Sequence, residues 1–126
     1  MDSKFDIIQT AKNSINNQGN SILELSNFIN KDFKSSVELI NSIDGKVIVS
    51  GIGKSAIIGM KIVATLNSTG TPSIFMHAAE AVHGDLGIVQ NNDVIILISK
   101  SGNTNEIKDL IPFLKNTGVK LIAICL

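Results

Sequence analysis

Segments in which apolar residues follow one another without interruption alternate along the chain with segments in which they recur at helical spacing. This pattern predicts strands separated by helices. The clearest run covers 93–98, where only apolar residues follow Asp93, as expected of a strand buried on both faces of a parallel sheet. Apolar residues then recur every third or fourth position over 104–116, which predicts an amphipathic helix. The polar segment 99–104 is therefore predicted to be the turn from a buried strand into a helix.

Three further apolar segments predict strands at 46–50, 73–76 and 119–125, and the segment between the first two has helical spacing. A longer connection occupies 77–92. Strands that alternate with helices imply right-handed crossovers and a parallel sheet covered on both faces. We therefore predict an α/β fold, a three-layer α/β/α sandwich with a parallel sheet, preceded by N-terminal helices.

The first 44 residues carry a helical pattern. A long amphipathic helix is predicted over 5–30, followed by a second helix that ends near Asp44. The apolar residues near one face of the first helix are Phe5, Ile8, Ala11, Ile15, Ile22, Leu25 and Ile29. Because a helix that precedes a sheet often packs on a partner subunit, 1–44 is interpreted as an oligomerisation element, with capping of the core as the alternative. The sheet domain is predicted to span 45–126.

Composition excludes several classes of protein. The 126 residues carry a formal net charge of zero, without the basic stripe of a nucleic-acid-binding protein. All 11 basic residues are lysines, so no arginine fork is available to hold a phosphate. The single cysteine, Cys125, excludes a disulfide framework and favours a reducing compartment. No apolar run reaches the length of a membrane span and no secretory signal is present, so a soluble cytoplasmic domain is expected.

The turn at 99–104 has the chemistry of a phosphate site. Ser99, Ser101 and Thr104 bring hydroxyl groups, Gly102 lets backbone N–H groups approach a ligand closely, and the following helix adds positive charge at its N-terminus. The simpler interpretation is a helix cap, which needs only one such residue. Several small polar residues in a row favour the anion site.

The turn at 51–55 has three competing interpretations. A P-loop requires a further glycine where Ile48 stands inside the strand. A dinucleotide fingerprint fits Gly51, Gly53 and Ala56, but the second strand ends without the carboxylate that binds a ribose. The third interpretation is a tight turn that admits a small phosphorylated ligand, with a lysine charge and a serine hydroxyl beside it.

Four segments together resemble the sugar isomerase (SIS) domain: 51–55, 68–72, 77–87 and 99–106. More closely, they resemble the D-arabinose-5-phosphate isomerases of the KpsF/GutQ family. The Ser-x-Ser-Gly-x-Thr signature marks SIS domains in general, whereas the segment after Gly-Thr-Pro is more specific to that isomerase group. The resemblance covers nearly the whole chain and implies a flavodoxin-like sheet of strand order 2-1-3-4.

The resemblance implies an aldose–ketose isomerase. Such enzymes interconvert D-arabinose 5-phosphate and D-ribulose 5-phosphate through a cis-enediol(ate), in Kdo biosynthesis for lipopolysaccharide or capsule. Proton transfer between adjacent carbons needs a base, stabilisation of the developing oxyanion and an anchor for the phosphate, but no cofactor. Because relatives assemble as tetramers, a homo-oligomer is expected, without nucleic-acid or membrane partners.

The resemblance also implies roles for individual residues. Glu106 matches the candidate base, Lys54 a stabiliser of the enediolate or phosphate, and His83 a group for ring opening or proton shuttling. Each has a simpler interpretation: Glu106 stabilises a helix N-terminus, His83 belongs to a turn, and Lys54 is a solvated surface charge. The residues matched to substrate binding are Gly51, Gly53, Ser55, Gly70, Thr71, Ser99, Lys100, Ser101, Gly102, Asn103 and Thr104.

Two further expectations follow from the resemblance. His77 matches a position where zinc inhibits similar enzymes, although two histidines and a carboxylate in one loop are weak evidence for a metal site. The family's later glutamate and histidine, its last strand and helix, and its CBS domains would lie beyond Leu126, so an incomplete SIS domain is expected. The alternatives are a non-catalytic module that senses a sugar phosphate, and an isomerase for another sugar phosphate such as a hexulose 6-phosphate.

Overall fold

The structure is a computed structural model that describes residues 6–125, and its centre is a four-stranded sheet. Four strands alternate with helices along the chain after two N-terminal helices, as the apolar pattern predicts. In chain order the elements are α1 (Ile7–Glu24), a 3₁₀ turn (Leu25–Phe28), α2 (Lys31–Ser42), β1 (Val47–Gly51), α3 (Lys54–Ser68), β2 (Ser73–His77), α4 (Ala78–Ala81), a second 3₁₀ turn (Asp85–Ile88), β3 (Val94–Ile98), α5 (Asn105–Thr117) and β4 (Lys120–Ile124).

The sheet has the order β2-β1-β3-β4 and every pairing in it is parallel, which confirms the predicted topology. Val47 at the start of β1 is in register with Ser73 of β2 and with Val94 of β3. Because all strands run in one direction, every strand-to-helix turn lies at the same edge of the sheet. We call this edge the carboxyl edge, and the opposite one the amino edge.

The core has two layers, one on each face of the sheet. On one face, Ile48 and Ile95 pack with the buried side of α5 and with α4. On the other face, Val49 and Ile96 pack with α3 and with the second half of α2. The central strands β1 and β3 are buried on both faces, which explains why their sequences lack polar alternation. Strand β4 forms an edge of the sheet and is largely exposed.

The N-terminal helix ends earlier than the predicted boundary at residue 30. It gives way to a 3₁₀ turn at Leu25, where the Ser26 hydroxyl donates to the carbonyl oxygen of Leu23. The compact unit that contains the sheet begins at Glu38, inside α2, because the last part of that helix packs on the sheet. Within the described residues, no helix combines the length and the apolarity that crossing a bilayer requires.

At the amino edge, Asp93 joins the start of β1 to the start of β3. Its carboxylate, 1% exposed, accepts hydrogen bonds from Lys46 Nζ at 2.8 Å, from the Lys46 backbone N–H at 2.9 Å and from the Gln90 N–H at 2.9 Å. Burial alone would raise the pKa of Asp93, but these hydrogen bonds and the Lys46 charge outweigh it and hold the pKa below its ordinary value of 3.8. Asp93 therefore remains ionised and holds the two central strands in register.

We predict that Asp93→Asn lowers the free energy of unfolding by roughly 2 kcal/mol at pH 7, because charge-assisted hydrogen bonds are lost in a buried position. A carboxyl group with a depressed pKa in the folded state stabilises the fold above about pH 4, and this contribution is lost as the pH falls through the folded-state pKa. The stability difference between wild type and variant should therefore shrink below about pH 4. Urea denaturation at a series of pH values measures it.

The matched control is Asp109→Asn, which removes an exposed carboxylate on α5. It should leave the free energy of unfolding unchanged within about 0.5 kcal/mol. Equal effects of the two substitutions at every pH would contradict the role of Asp93.

Candidate functional site

An open cavity of about 420 Å³ lies at the carboxyl edge, where β1 and β3 end side by side. The chain enters helices on both sides of it, α3 after β1 and α5 after β3. The lining residues are Ile52, Ser55, Ile98, Ser99, Lys100, Ser101 and Thr104. The cavity thus joins the two turns that sequence patterns single out, 51–55 and 99–104.

Gly51 allows these two turns to meet. A Cβ atom at this position would lie 3.1 Å from the Ser55 carbonyl carbon and 3.2 Å from the Ile98 carbonyl oxygen, closer than side-chain atoms normally approach. Gly53 then adopts a positive φ of 58°, which favours glycine, at the entry to α3. The two glycines expected to contact a ligand therefore also have a structural role, since they place Ser55 against the end of β3.

Both helices that border the cavity start without a side-chain cap. The residue before α3 is Gly53, which has no side chain to offer, and the Thr104 side chain makes no capping hydrogen bond to α5. Because the first N–H groups of a helix have no acceptor within the helix, the N–H groups of the first residues of α3 and α5 receive no side-chain acceptor from a cap. Two helix N-termini with their partial positive charge thus adjoin one cavity, which favours an anion there.

The serines of the 99–104 loop are already hydrogen-bonded within the loop. The Ser99 hydroxyl accepts from the Gly102 N–H at 3.1 Å, and the Ser101 hydroxyl accepts from the Asn103 N–H at 3.2 Å. Each hydroxyl therefore retains its own hydrogen to donate. The N–H groups of Gly102 and Asn103, which the sequence suggests as phosphate donors, are engaged inside the loop, whereas the serine hydroxyls can donate outward.

Two buried hydroxyl groups at this edge have no hydrogen-bond partner among the described residues. They are Oγ1 of Thr104, a residue that lines the cavity, and Oγ of Ser50, a residue that does not. Leaving a buried hydroxyl unpaired costs stability, of order 1–3 kcal/mol. A ligand that accepts a hydrogen bond from Thr104 would offset this cost.

The charge of the cavity is positive. Lys100 supplies the charged side chain of the lining, and Lys54 is the first residue of α3, next to Ser55. In the part of the chain that the structure describes, neither ammonium group has a hydrogen-bond or ion-pair partner. Both cations are thus free to balance the charge of a bound anion.

The three residues expected to act in catalysis do not line the cavity, and each follows a different strand of the sheet. Lys54 and Glu106 occupy the first turns of α3 and α5, the two helices that start at the cavity. His83 follows α4, on the segment that leaves the carboxyl end of β2, and its N–H donates to the Glu80 carbonyl oxygen at 2.9 Å. All three therefore belong to segments that leave the carboxyl edge of the sheet.

Gly70 and Thr71 lie elsewhere, so the structure does not bring these two predicted binding residues to the cavity within one chain. They follow the end of α3 and precede β2, which places them at the amino edge. The Thr71 N–H donates to the Leu66 carbonyl oxygen, and the next residue, Pro72, accepts from the N–H of Val47 at the start of β1. A segment that leads into a parallel strand necessarily lies at the edge opposite to the turns that leave the strands.

His77 lies at the end of β2, and the inhibitory zinc site expected there stays a prediction. Its Nδ1 atom accepts a hydrogen bond from the Ala79 N–H at 3.3 Å, and its ring meets that of Phe75 edge-on at 6.2 Å. One ring nitrogen is thus already in use. Over residues 6–125, no cluster of three or more histidine, cysteine, aspartate or glutamate side chains is arranged to hold a metal ion.

Sequence reasoning missed two neighbours of the cavity. Ile52 and Ile98 form an apolar wall of the cavity. Both lie directly beside predicted turn residues, and this position in the sequence is the feature from which they could have been identified. Cys125 also lies close to the 99–104 loop, since its Sγ atom is 3.9 Å from where a Cβ of Gly102 would be. The residue that follows β4 thus lies against the loop that forms one side of the cavity.

Comparison with known proteins yields relatives over nearly the whole chain. The arabinose 5-phosphate isomerase KdsD of Escherichia coli K12 is 48% identical over 120 residues, covering 95% of this chain and 37% of the relative. KdsD of Pseudomonas aeruginosa is 43% identical over 123 residues, covering 98% of this chain and 38% of the relative. The chain therefore spans little more than a third of the length of these relatives.

Among solved structures, the Escherichia coli CFT073 protein c3406, in complex with arabinose 5-phosphate, superimposes with a TM-score of 0.89 at 43% identity. The alignment covers 98% of this chain and 65% of that one. The family model of the SIS domain matches residues 39–126, the part that carries the sheet and the cavity. The chain therefore belongs to the SIS domain family.

Proposed function

We propose that this chain binds D-arabinose 5-phosphate and D-ribulose 5-phosphate at the carboxyl-edge cavity, and that the protein interconverts them. The phosphate occupies the cavity, held by hydroxyl groups of Ser55, Ser99, Ser101 and Thr104 and by the charge of Lys100. Two uncapped helix N-termini, beside a buried hydroxyl without a partner among the described residues, carry this proposal, because both favour an acceptor-rich anion. The names of the relatives, arabinose 5-phosphate isomerases at 43–48% identity, supply the sugar.

The proposed chemistry is proton transfer between C2 and C1 of the open-chain sugar. Glu106 takes the proton from C2, and the electron pair moves to the carbonyl oxygen, which gives an enediolate. The Lys54 ammonium stabilises that negative charge, and return of the proton to C1 with rearrangement of the hydroxyl protons gives the ketose. His83 assists the opening of the sugar ring. Each of these steps is a proton transfer or the stabilisation of a charge, so no cofactor is invoked.

The pathway, the cellular location and the oligomeric state of the protein also belong to this proposal. Kdo biosynthesis for lipopolysaccharide or capsule and a cytoplasmic location follow from the resemblance alone. An oligomer is supported by α1, in which Ile8, Ile15 and Ile22 recur every seven residues and are each about two thirds exposed, and a tetramer follows from the resemblance alone. Seven-residue spacing of apolar residues is typical of helices that associate. The region before the sheet is accordingly proposed as the oligomerisation element.

Incubation with D-ribulose 5-phosphate tests the function. The full-length product of the gene should form D-arabinose 5-phosphate, and the 126-residue chain should bind the ketose phosphate. Binding without conversion by the full-length product would favour a non-catalytic sensor, and faster conversion of a hexulose 6-phosphate would favour another isomerase substrate. Failure of the chain to bind any sugar phosphate would overturn the proposal.

We predict that Thr104→Val weakens the binding of D-arabinose 5-phosphate without lowering the stability of the fold. The substitution keeps the shape of the side chain but removes the buried hydroxyl that lacks a partner among the described residues. The dissociation constant for D-arabinose 5-phosphate should rise about tenfold, as expected for one lost hydrogen bond to a charged group. The free energy of unfolding without ligand should stay equal or increase. Calorimetric titration and urea denaturation measure the two quantities.

Thr117→Val is the matched control, because this hydroxyl on α5 donates to the Leu114 carbonyl oxygen at 2.7 Å, away from the cavity. It should lower the free energy of unfolding by about 1 kcal/mol and leave binding unchanged. The assignment of Thr104 fails when its substitution leaves the dissociation constant at the wild-type value.

We also predict that Lys54→Ala reduces kcat of the full-length protein by at least about 100-fold, the usual effect of removing one group that stabilises an oxyanion. Its circular dichroism spectrum and unfolding midpoint should match those of the wild type, because Lys54 is exposed and makes no ion pair within the described residues. Lys61→Ala, an exposed lysine farther along α3, is the control and should retain full activity. Near-normal turnover of the Lys54 variant would refute the role of this residue.

A further inference from the structure

Lys46, the residue directly before β1, is bonded to the far end of the connection between β2 and β3. Its ammonium group donates to the Ile88 carbonyl oxygen at 3.0 Å and to the Asp93 carboxylate at 2.8 Å. The same carboxylate accepts the Gln90 N–H at 2.9 Å. The Lys46–Asp93 pair therefore holds the backbone on both sides of Val89, through hydrogen bonds that charge strengthens.

Gly45 shows how closely the backbone packs around this pair. A Cβ atom at Gly45 would lie 2.5 Å from Oδ1 of Asp93 and closer still to the Asn92 carbonyl oxygen. Real side-chain atoms do not approach so closely, and a backbone carbonyl cannot turn away as a flexible side chain can. A residue without a side chain is thus required directly before Lys46 for the pair to form.

His83 lies between two fixed points of the same connection. On one side, α4 is held in the core by two fully buried alanines. On the other side, the connection is held by the Lys46–Asp93 pair. The stretch in between contains Gly84, which has a positive φ of 148°, and Gly87. Because glycine has the largest conformational freedom to lose, such a stretch keeps one shape only when both of its ends are held.

We propose that Lys46 is a positioning residue: its ammonium group fastens the end of the 77–92 connection and thereby sets the place of His83. The proposal rests on the proposed function only for the catalytic role of His83. Removal of the ammonium group takes away the donor to the Ile88 carbonyl oxygen and the charge partner of Asp93 together. The segment 84–90 should then open more often, while the rest of the sheet domain keeps its structure.

Amide hydrogen exchange of the Lys46→Met chain tests the fastening without any assay of activity. The N–H groups of Gly87, Val89 and Gln90 donate to acceptors within this segment and to the Asp93 carboxylate. Their exchange should accelerate about tenfold, as expected for one lost hydrogen bond to a charged group. The Ser99 N–H, which donates to the Ile124 carbonyl oxygen, is the reference and should change less than about threefold. Equal acceleration at all of these amides would overturn the proposal.

A double variant keeps the test decisive if the single substitution destabilises the whole fold. Lys46→Met alone leaves the Asp93 carboxylate buried without its cation, which is costly. Lys46→Met/Asp93→Asn removes both charges, and the Asn side chain retains an oxygen that can accept a backbone N–H. The double variant should show the same local acceleration of exchange over 84–90. Wild-type exchange over this segment in the folded double variant would overturn the proposal.

Kinetics of the full-length protein test the positioning role itself. Lys46→Met should lower kcat about fivefold to tenfold with KM changed less than about twofold, because a displaced group affects the chemical step more than binding. Lys46→Arg should restore kcat to within about threefold, since a guanidinium can donate to both acceptors. Gly45→Ala should reproduce the loss although Lys46 and Asp93 are intact. Lys115→Met, an exposed lysine near the end of α5, is the control and should retain full activity.

The two experiments distinguish failure of this inference from failure of the proposed function. Faster exchange over 84–90 together with wild-type kcat in the Lys46→Met variant would overturn the positioning role. A wild-type protein without isomerase activity would instead overturn the proposed function, and hydrogen exchange would still decide whether Lys46 fastens the connection.

Discussion

The parallel pairing of β1 with β3 is the constraint on which the rest of the structure depends. These strands are adjacent in the sheet although α3 and β2 separate them in the chain, so the turns that follow them are brought side by side. Both strands are buried on both faces, and this burial fixes their register. A cavity between two helix N-termini results directly from this arrangement, as in other open α/β sheets.

The two edges of the sheet differ in how far their polar groups are hydrogen-bonded. At the amino edge, the Asp93 carboxylate accepts three hydrogen bonds and the Lys46 ammonium also donates to the Ile88 carbonyl oxygen. At the carboxyl edge, helix N-termini lack caps and the Thr104 hydroxyl lacks a partner within the described chain. Stability is thus concentrated at one edge, whereas the other retains unsatisfied donors that a ligand can use.

The sequence predicts the sheet well because its evidence is local. The apolar run at 93–98 indicates a doubly buried strand, and alternation of strands with helices predicts parallel pairing, both of which the structure confirms. Contacts between distant residues leave no such pattern. The pairing of Asp93 with Lys46 spans 47 positions, and the bond from the Gly102 N–H to Ser99 depends on the loop's dihedral angles rather than on its residue types.

The resemblance to a family indicates which residues correspond to its binding residues, but not where these residues lie in the fold. Gly70 and Thr71 match binding residues of the family and stay a prediction, and the order of the elements places them before β2, at the amino edge of this chain. In contrast, the cap that His77 provides could not be predicted from residue types, because histidine is not among the residues that usually begin helices.

The position of Cys125 has a practical consequence. Its side chain is exposed at the end of β4, and its Sγ atom lies against the Gly102 segment of the loop that borders the cavity. Since the chain has one cysteine, a fluorophore attached to this thiol would label a single known place. Its emission would report on the movement or solvation of the loop, which makes ligand occupancy visible by optical means in this chain without any substitution.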